Sequence, residues 1–543
     1  MHVFRTTSAL VIAALMVSGW TAIEPSIRWP ASSPSPVTYY VSPFGHDTAS
    51  GRSPATAWRT LTRASSARLL PGERLLLRGG YRYAGSIFIG KGEAGNPAKP
   101  VLISSYGKGS AVIQSGGSGI VIEDTAGVTV RNLVIVGQNA MKATTAGIQV
   151  FSNLVGKMLS LIFIDRVNVT GFGYGVAIGG LHDGGGFQNV SVTSSVLHGN
   201  LDAGLSSYGP AWPIFHPALF GYANANIRVR GVRAYGNLGD PANVSLNTGS
   251  GIVLGSVKGA AITYSLAYHN GGAGGAPQQG PEGIWAYDAT GVVIAHNVSH
   301  DNSTRTPVDG GGFGFDEGTT NSVIEYNRSY HNHGPGYMLF GVPGNPERGN
   351  VVRFNISASD GFVRHNVGGL AIGGYSSYLT AYQNTVVMAR TGTQIALRIY
   401  GYPHGVRVFN NIFVSSAAGP LVYSVFAETP AAAFLAGNDY HATGPWIVRW
   451  GSRTFRSIKA WRTATREEIV RGRRTGLTAG PLFVGPVYGV AGDASGAGFM
   501  LRPRSPLRRA GLNLQALFRL RPGPVYFSGT PYRLTRPDVG AQA

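Results

Sequence analysis

Over most of this chain, apolar residues recur in short alternating runs bounded by Gly, Asn and Asp. Residues 310–339 show the unit: Gly-Gly-Gly-Phe-Gly-Phe-Asp-Glu-Gly, then a Val-Ile-Glu-Tyr-Asn run ending in a His-rich turn, then Tyr-Met-Leu. Each run is too short, and too rich in β-branched and aromatic residues, for a helix. The pattern repeats. An Asn closes the equivalent run at Asn132, Asn297, Asn327, Asn355, Asn384 and Asn411, with later spacings of 30, 28, 29 and 27 residues. Between Asn132 and Asn297 the equivalent positions are read as Asp165, Ser195, Val232 and Ser265. Ten coils result, stacking as parallel strands about 4.8 Å apart into an array roughly 45 Å long. The Asn residues are turn formers that can bond from coil to coil. His269, His300 and His331 are read at the same turn.

A second strand per coil covers residues 251–255, 283–287, 314–317, 337–340, 370–373 and 395–399. Side chains alternate in and out along a strand. Placing Ile252, Ile284, Phe315, Leu370 and Ile395 inward turns Val253, Trp285, Asp316, Ala371 and Ala396 outward, with Arg398 and Tyr400 beyond. Trp285 and Asp316 are then expected as neighbours. Glu317 turns inward by this register, or sits in a turn beside Gly318.

The ends of the chain read differently. Apolar residues 9–17 follow His2 and Arg5 and precede Ser18 and Gly19, the pattern of an export signal over residues 1–22. Residues 23–37 are a Pro/Ser-rich linker. Residues 38–100 are expected to cap the first coil, residues 101–436 to form the repeat, and residues 437–543 to close it. Within that last part, 457–471 reads as one amphipathic helix with Ile458, Trp461 and Ile469 on its apolar side. The protein is expected to be secreted or periplasmic and monomeric, with no membrane insertion after signal removal.

Composition sharpens this picture. There are 79 Gly and no Cys in 543 residues, so disulfides, thiolate metal sites and Cys nucleophiles are excluded. The net charge of +20 is unevenly spread: residues 441–543 hold 17 basic and 4 acidic side chains. That favours anionic surfaces or polymers in general, and no nucleic-acid motif accompanies it.

The order of residues in the N-terminal part carries a resemblance. Tyr39-Tyr40-Val41-Ser42-Pro43-Phe44-Gly45, then Asp47, Gly51, Trp58 and Thr60, then Pro71-Gly72-Glu73-Arg74 and Asn96-Pro97, resembles the cap of secreted β-helix proteins of the pectate-lyase-like superfamily. The run Gly480-Pro481-Leu482-Phe483-Val484 to Pro537-Asp538-Val539-Gly540 resembles the ending of many bacterial members. The resemblance implies an all-β fold. It would be a single-stranded right-handed parallel β-helix of about ten coils, with an N-terminal cap and a helix-containing C-terminal segment. The nearest comparison is with family 9 pectate lyases, whose pattern places a Lys base on one strand and calcium-binding Asp residues one coil later. Here Asp316 stands in place of that Lys, and residues 334–338 carry no carboxylate.

The candidate chemistry follows from the outward strand. Glycoside hydrolysis needs two carboxyl groups across the scissile bond, and Asp316 with Asp288, Glu317 or Glu282 could supply them. Trp285, Tyr287, Arg398 and Tyr400 are candidate sugar contacts, with His182 and Asp183 in a Gly-rich turn as a competing cluster. A polysaccharide or oligosaccharide is the expected partner. No cofactor or metal is expected, since His331 and His333 alone fall short of a coordination shell. A pectate-type lyase acting on uronate polymers and a non-catalytic carbohydrate-binding or surface protein remain alternatives.

Overall fold

A computed structural model describes residues 36–182, 184–210, 221–363, 367–389, 391–487 and 496–542. The export signal and most of the linker lie outside the described residues, as does Asp183. No helix among the described residues is long and apolar enough to cross a membrane.

The chain winds as a right-handed parallel β-helix of about 12 turns. Each turn contributes a strand to each of three parallel sheets. The first sheet runs from Thr38–Val41 through Val128–Ala140 and Val323–Glu325 to Ala433–Ala436. The second runs from Arg82–Ala84 through Arg328–Tyr330 to Asp439–His441. The third runs from Ile87–Ile89 through Glu282–Ala295 and Gly311–Phe315 to Val448–Trp450. More turns form than the Asn spacing counts, because residues of the expected cap already pair as coils. Arg74–Arg78, Arg82–Ala84 and Ile87–Ile89 make one below Val101. The core is a column of Val, Ile, Leu and Phe side chains, one layer per coil.

Buried Asn side chains tie the coils together at the turn between the first and second sheets. Asn297 Nδ2 donates to Asn327 Oδ1 at 3.0 Å, and the chain of bonds continues through Asn355, Asn384, Asn411 and Asn438. Each Oδ1 also accepts the backbone N–H of the preceding Asn, so every rung satisfies three polar groups. The last Asn needs an acceptor beyond the final coil. Glu468 supplies it, accepting from Asn438 Nδ2 at 2.9 Å. The early coils differ from expectation. The register aligns Leu133 with Val167, and Ser195 Oγ accepts the Val167 N–H. Asn132 and Asp165 therefore sit one and two residues before the ladder column. Asn132 is instead a half-buried residue within Val128–Ala140 at φ 52°, its Oδ1 accepting from Arg166 Nε.

A second ladder, not read from the sequence, occupies the turn between the second and third sheets. It links Asn200, Asn237, Asn270, Asn302 and Asn332 and ends on Asp360, at 2.8–3.0 Å per step. His269, His300 and His331 belong beside this second turn, not the first. His300 lies in a stack of parallel rings with Tyr268 and Tyr330.

The ends are closed as physics requires. Leu61–Ser65, capped by Thr60, buries Leu61 and Ala64 over the first coil. At the other end the helix is shorter than expected, Ile458–Thr465, with Ser457 as N-cap and Arg466 in the left-handed region at φ 68°. The helix stops there, and two residues on Glu468 reaches back to the ladder. Trp461 is buried against Tyr440, Trp446 and Trp450. The remaining chain does not stack on the end. It runs back along the flank, packing Phe499, Leu507 and Val539 on Ile356 and Ile412, and Leu514 and Tyr526 on Phe354 and Phe409.

Candidate functional site

The site lies on the outer face of the third sheet. Strand register sets its rows. Ile284, Phe313, Tyr337, Leu370 and Leu397 align facing the core, as do Ala286, Phe315, Leu339, Ile372 and Ile399. The outer row between them is Val253, Trp285, Gly314, Met338, Ala371 and Arg398. The next outer row holds Gly255, Tyr287, Asp316, Phe340, Gly373 and Tyr400. Asp316 thus stands beside Tyr287, while Trp285 stands beside Gly314. The expected Trp285–Asp316 pairing is out by two residues, because Phe313 and not Phe315 aligns with Ile284. A two-residue slip keeps every side chain on its side of the sheet but changes its neighbours.

Trp285 is not an open platform. It is 5% exposed, packs with Ala203, Val253 and Tyr174, and donates from Nε1 to Ser250 Oγ at 3.0 Å. The half-buried rings on this face include Tyr287, Phe340 and Tyr400. Glycines decide where these rings lie. Tyr287 leans over Gly255 and Tyr400 over Gly373, and a Cβ at either glycine would collide with the ring. Tyr400 reaches Phe340 in this way, with ring centroids 6.1 Å apart, while the Arg398 guanidinium sits 4.5 Å above the Tyr400 ring.

Carboxyl groups crowd the same place. Glu282, 2% exposed, lies across Gly314 so closely that a Cβ there would collide with Oε2. Neither of its carboxyl oxygens has a hydrogen-bond partner among the described residues. Burial, reinforced by Asp309, pushes Glu282 well above the usual carboxylate range. Asp309 accepts the Gly280 N–H at 2.7 Å and is raised to about 7, chiefly by burial and further by Glu317. Asp316 accepts the Glu317 N–H at 2.9 Å. Its carboxyl is raised well above normal by burial, then by the adjoining Glu317 carboxylate and by Asp309. Glu317 lies in the turn beside Gly318, half-buried, and its carbonyl accepts the Asp288 N–H at 2.7 Å. Asp288 is fully buried, accepts from Asn345 Nδ2 at 2.6 Å, and is raised to about 8, mainly by burial. The Tyr400 phenol is pushed up by burial and then by Asp309, Asp316 and Glu282, which places it within electrostatic reach of all three.

The structure therefore gathers Glu282, Asp316, Glu317, Tyr287 and Tyr400 in one cleft, with Asp288 beneath its rim and Arg398 at its far side. His182 is not part of it. It sits four coils away, about 19 Å along the axis at 4.8 Å per coil, and bonds Asn153 Oδ1 at 3.0 Å. Asp309 was missed from the sequence. Its signal was its place directly before the glycine run 310–312, which leads into the strand that carries Phe313. Among the described residues, no three His, Asp or Glu side chains converge closely enough to hold a metal ion.

No protein-family model and no curated protein matches this chain. Solved structures with a similar fold include a GH136 lacto-N-biosidase from Eubacterium ramulus, 16% identical over 76% of this chain and 67% of the other, with a TM-score of 0.47. The pectate lyase Pel9A is 16% identical, over 94% of this chain and 96% of its own, with a TM-score of 0.42. A mannuronan C-5 epimerase A-module from Azotobacter vinelandii is 13% identical, over 65% and 86%, with a TM-score of 0.38. Each is a likeness of fold.

Proposed function

We propose that this protein is a glycoside hydrolase acting on a polysaccharide or oligosaccharide in the third-sheet cleft. The observation that carries the reading is the crowding of Glu282, Asp309 and Asp316 near Tyr400, with Glu317 adjoining Asp316 and the Glu282 carboxyl laid over Gly314. Carboxyl groups so placed cannot all ionise, so some stay protonated near neutral pH while a neighbour carries charge. That is the division of labour a glycosidase needs: an acid for the leaving oxygen and a carboxylate for water or the anomeric carbon. Asp316 is assigned as the acid, since burial and the adjoining Glu317 carboxylate hold its proton. The Glu282 carboxyl lies over Gly314, two residues before Asp316 on the same face of its strand, about 6.6 Å at roughly 3.3 Å per residue, which suits the roughly 5–10 Å separation of glycosidase carboxyls. Tyr287, Phe340 and Tyr400 offer ring faces to sugar.

The cleft also bears on substrate charge. A uronate polymer brings its own carboxylates, which this group of acids would repel. Neutral glycans fit better. Elimination keeps one supporting observation, Arg398 stacked on Tyr400 at 4.5 Å, a cation beside a phenol. A panel of neutral and uronate polysaccharides, read for new reducing ends and for the ultraviolet absorbance of unsaturated uronate, separates the two. Asp316→Asn is expected to lower turnover at least a hundredfold, roughly the worth of a general acid. Glycan binding and the melting curve should stay near those of the parent. Full activity in Asp316→Asn would contradict the assignment.

A further inference from the structure

The C-terminal end of the β-helix carries cationic charge without an ion-pair partner among the described residues. Arg453, Arg456, Lys459, Arg466, Arg473 and Arg474 all lie on the last hairpins and the closing helix, and all are exposed. None of the six has an ion pair among the described residues. The acids of this segment have been drawn inside. Glu467 accepts the Leu435 N–H at 2.7 Å, and Glu468 accepts from Gly437, Asn438, Tyr440 and Thr475 to finish the Asn ladder. Both are fully buried. The same device that closes the ladder thus leaves the outer surface of this end predominantly cationic among its described residues, with the half-buried Glu428 at its edge.

We propose that this end docks on a bilayer surface rich in anionic phospholipid. Five of the six groups are guanidinium, which grips phosphate oxygens through two parallel hydrogen bonds where an ammonium offers a point charge. The end lies across the coil axis, so docking there leaves the third-sheet cleft, which opens sideways, uncovered. Nucleic acid fits less well. Three of the rings at this end, Trp450, Phe455 and Trp461, are 2%, 6% and 0% exposed and Trp446 is half-buried, so little ring face is open for bases to stack on.

The test uses the full chain and sedimentation with vesicles of phosphatidylcholine alone or mixed with phosphatidylglycerol. The protein should bind the anionic vesicles at low salt, ignore the neutral ones, and be released as salt rises. Neutralising one cationic side chain should weaken binding about fivefold, so Arg453→Gln, Arg473→Gln and Arg474→Gln together should cost roughly a hundredfold. The charge-matched set Arg519→Gln, Arg521→Gln and Arg533→Gln, on the flank, should bind nearly as the parent does. Equal weakening in both sets would overturn the proposal, since net charge alone would then explain the binding. So would failure of the parent to bind anionic vesicles at low salt, or capture of duplex DNA without capture of vesicles. The salt dependence of the parent reads the same docking without any substitution.

Discussion

Single residues in the cleft are placed by the absence of a side chain next door. Glu282 can lie over the adjacent coil only because residue 314 has no Cβ. Gly314→Ala is therefore expected to displace the Glu282 carboxyl while leaving the core-facing Phe313 and Phe315 untouched. Turnover should fall at least tenfold, about 1.4 kcal/mol in barrier. Stability should change by less than about 1 kcal/mol, or rise, since an unpartnered buried carboxyl loses its enforced position. Activity assays beside thermal melts check this, and a large drop in stability with unchanged turnover would count against the role given to Glu282. At this scale several residues of the candidate site were legible in the sequence. Asp316, Glu282 and Glu317 stand out as charges in a Gly-rich, aromatic stretch. Their neighbours were not readable, because alternation fixes which side of a sheet a residue faces and leaves open which residue of the next coil it meets.

The element that holds the fold is the Asn ladder. Its first form was visible because Asn recurs at nearly constant spacing, from Asn297 to Asn411. In the earlier coils the column is filled by Val167, Ser195, Val232 and Ser265, so Asn132 and Asp165 were drawn in wrongly as its members. The second ladder had an equal signal, Asn after Gly, His or Asp at Asn200, Asn237, Asn270, Asn302 and Asn332, but uneven spacing hid it. Asn355→Ala removes the acceptor of both the Asn327 N–H and Asn327 Nδ2. Stranding buried donors should cost about 2–3 kcal/mol. Asn132→Gly, outside the ladder and at φ 52° where Gly is at ease, should cost less than about 0.5 kcal/mol. Chemical denaturation of both variants checks the difference. Equal destabilisation would mean that the ladder contributes nothing beyond an ordinary turn.

Across the described residues, several carboxyl groups are buried. Asp288, Glu347, Asp439 and Glu467 are each raised to about 8, in every case mainly by burial. A carboxyl whose folded value exceeds its unfolded value, about 4, adds stability that is complete below that lower value. The contribution is lost as pH rises through the folded value. The melting temperature is therefore expected to fall as pH rises from about 6 to about 9, and Asp439→Asn should flatten part of that slope. A melting temperature that climbs over this range would contradict the burial seen here. The parallel β-helix itself was legible from repeat length and turn residues. The return of the C-terminal chain along the flank was not, since its apolar residues lack a period and find partners only on the finished solenoid. What the molecule does with its cleft is tested most directly by letting it cleave a polysaccharide in heavy-oxygen water and weighing the products. Hydrolysis by the cleft carboxyls predicts one solvent oxygen in each pair of new ends. Products with no solvent oxygen and an unsaturated end would show elimination, and the cleft would then not be a glycosidase site.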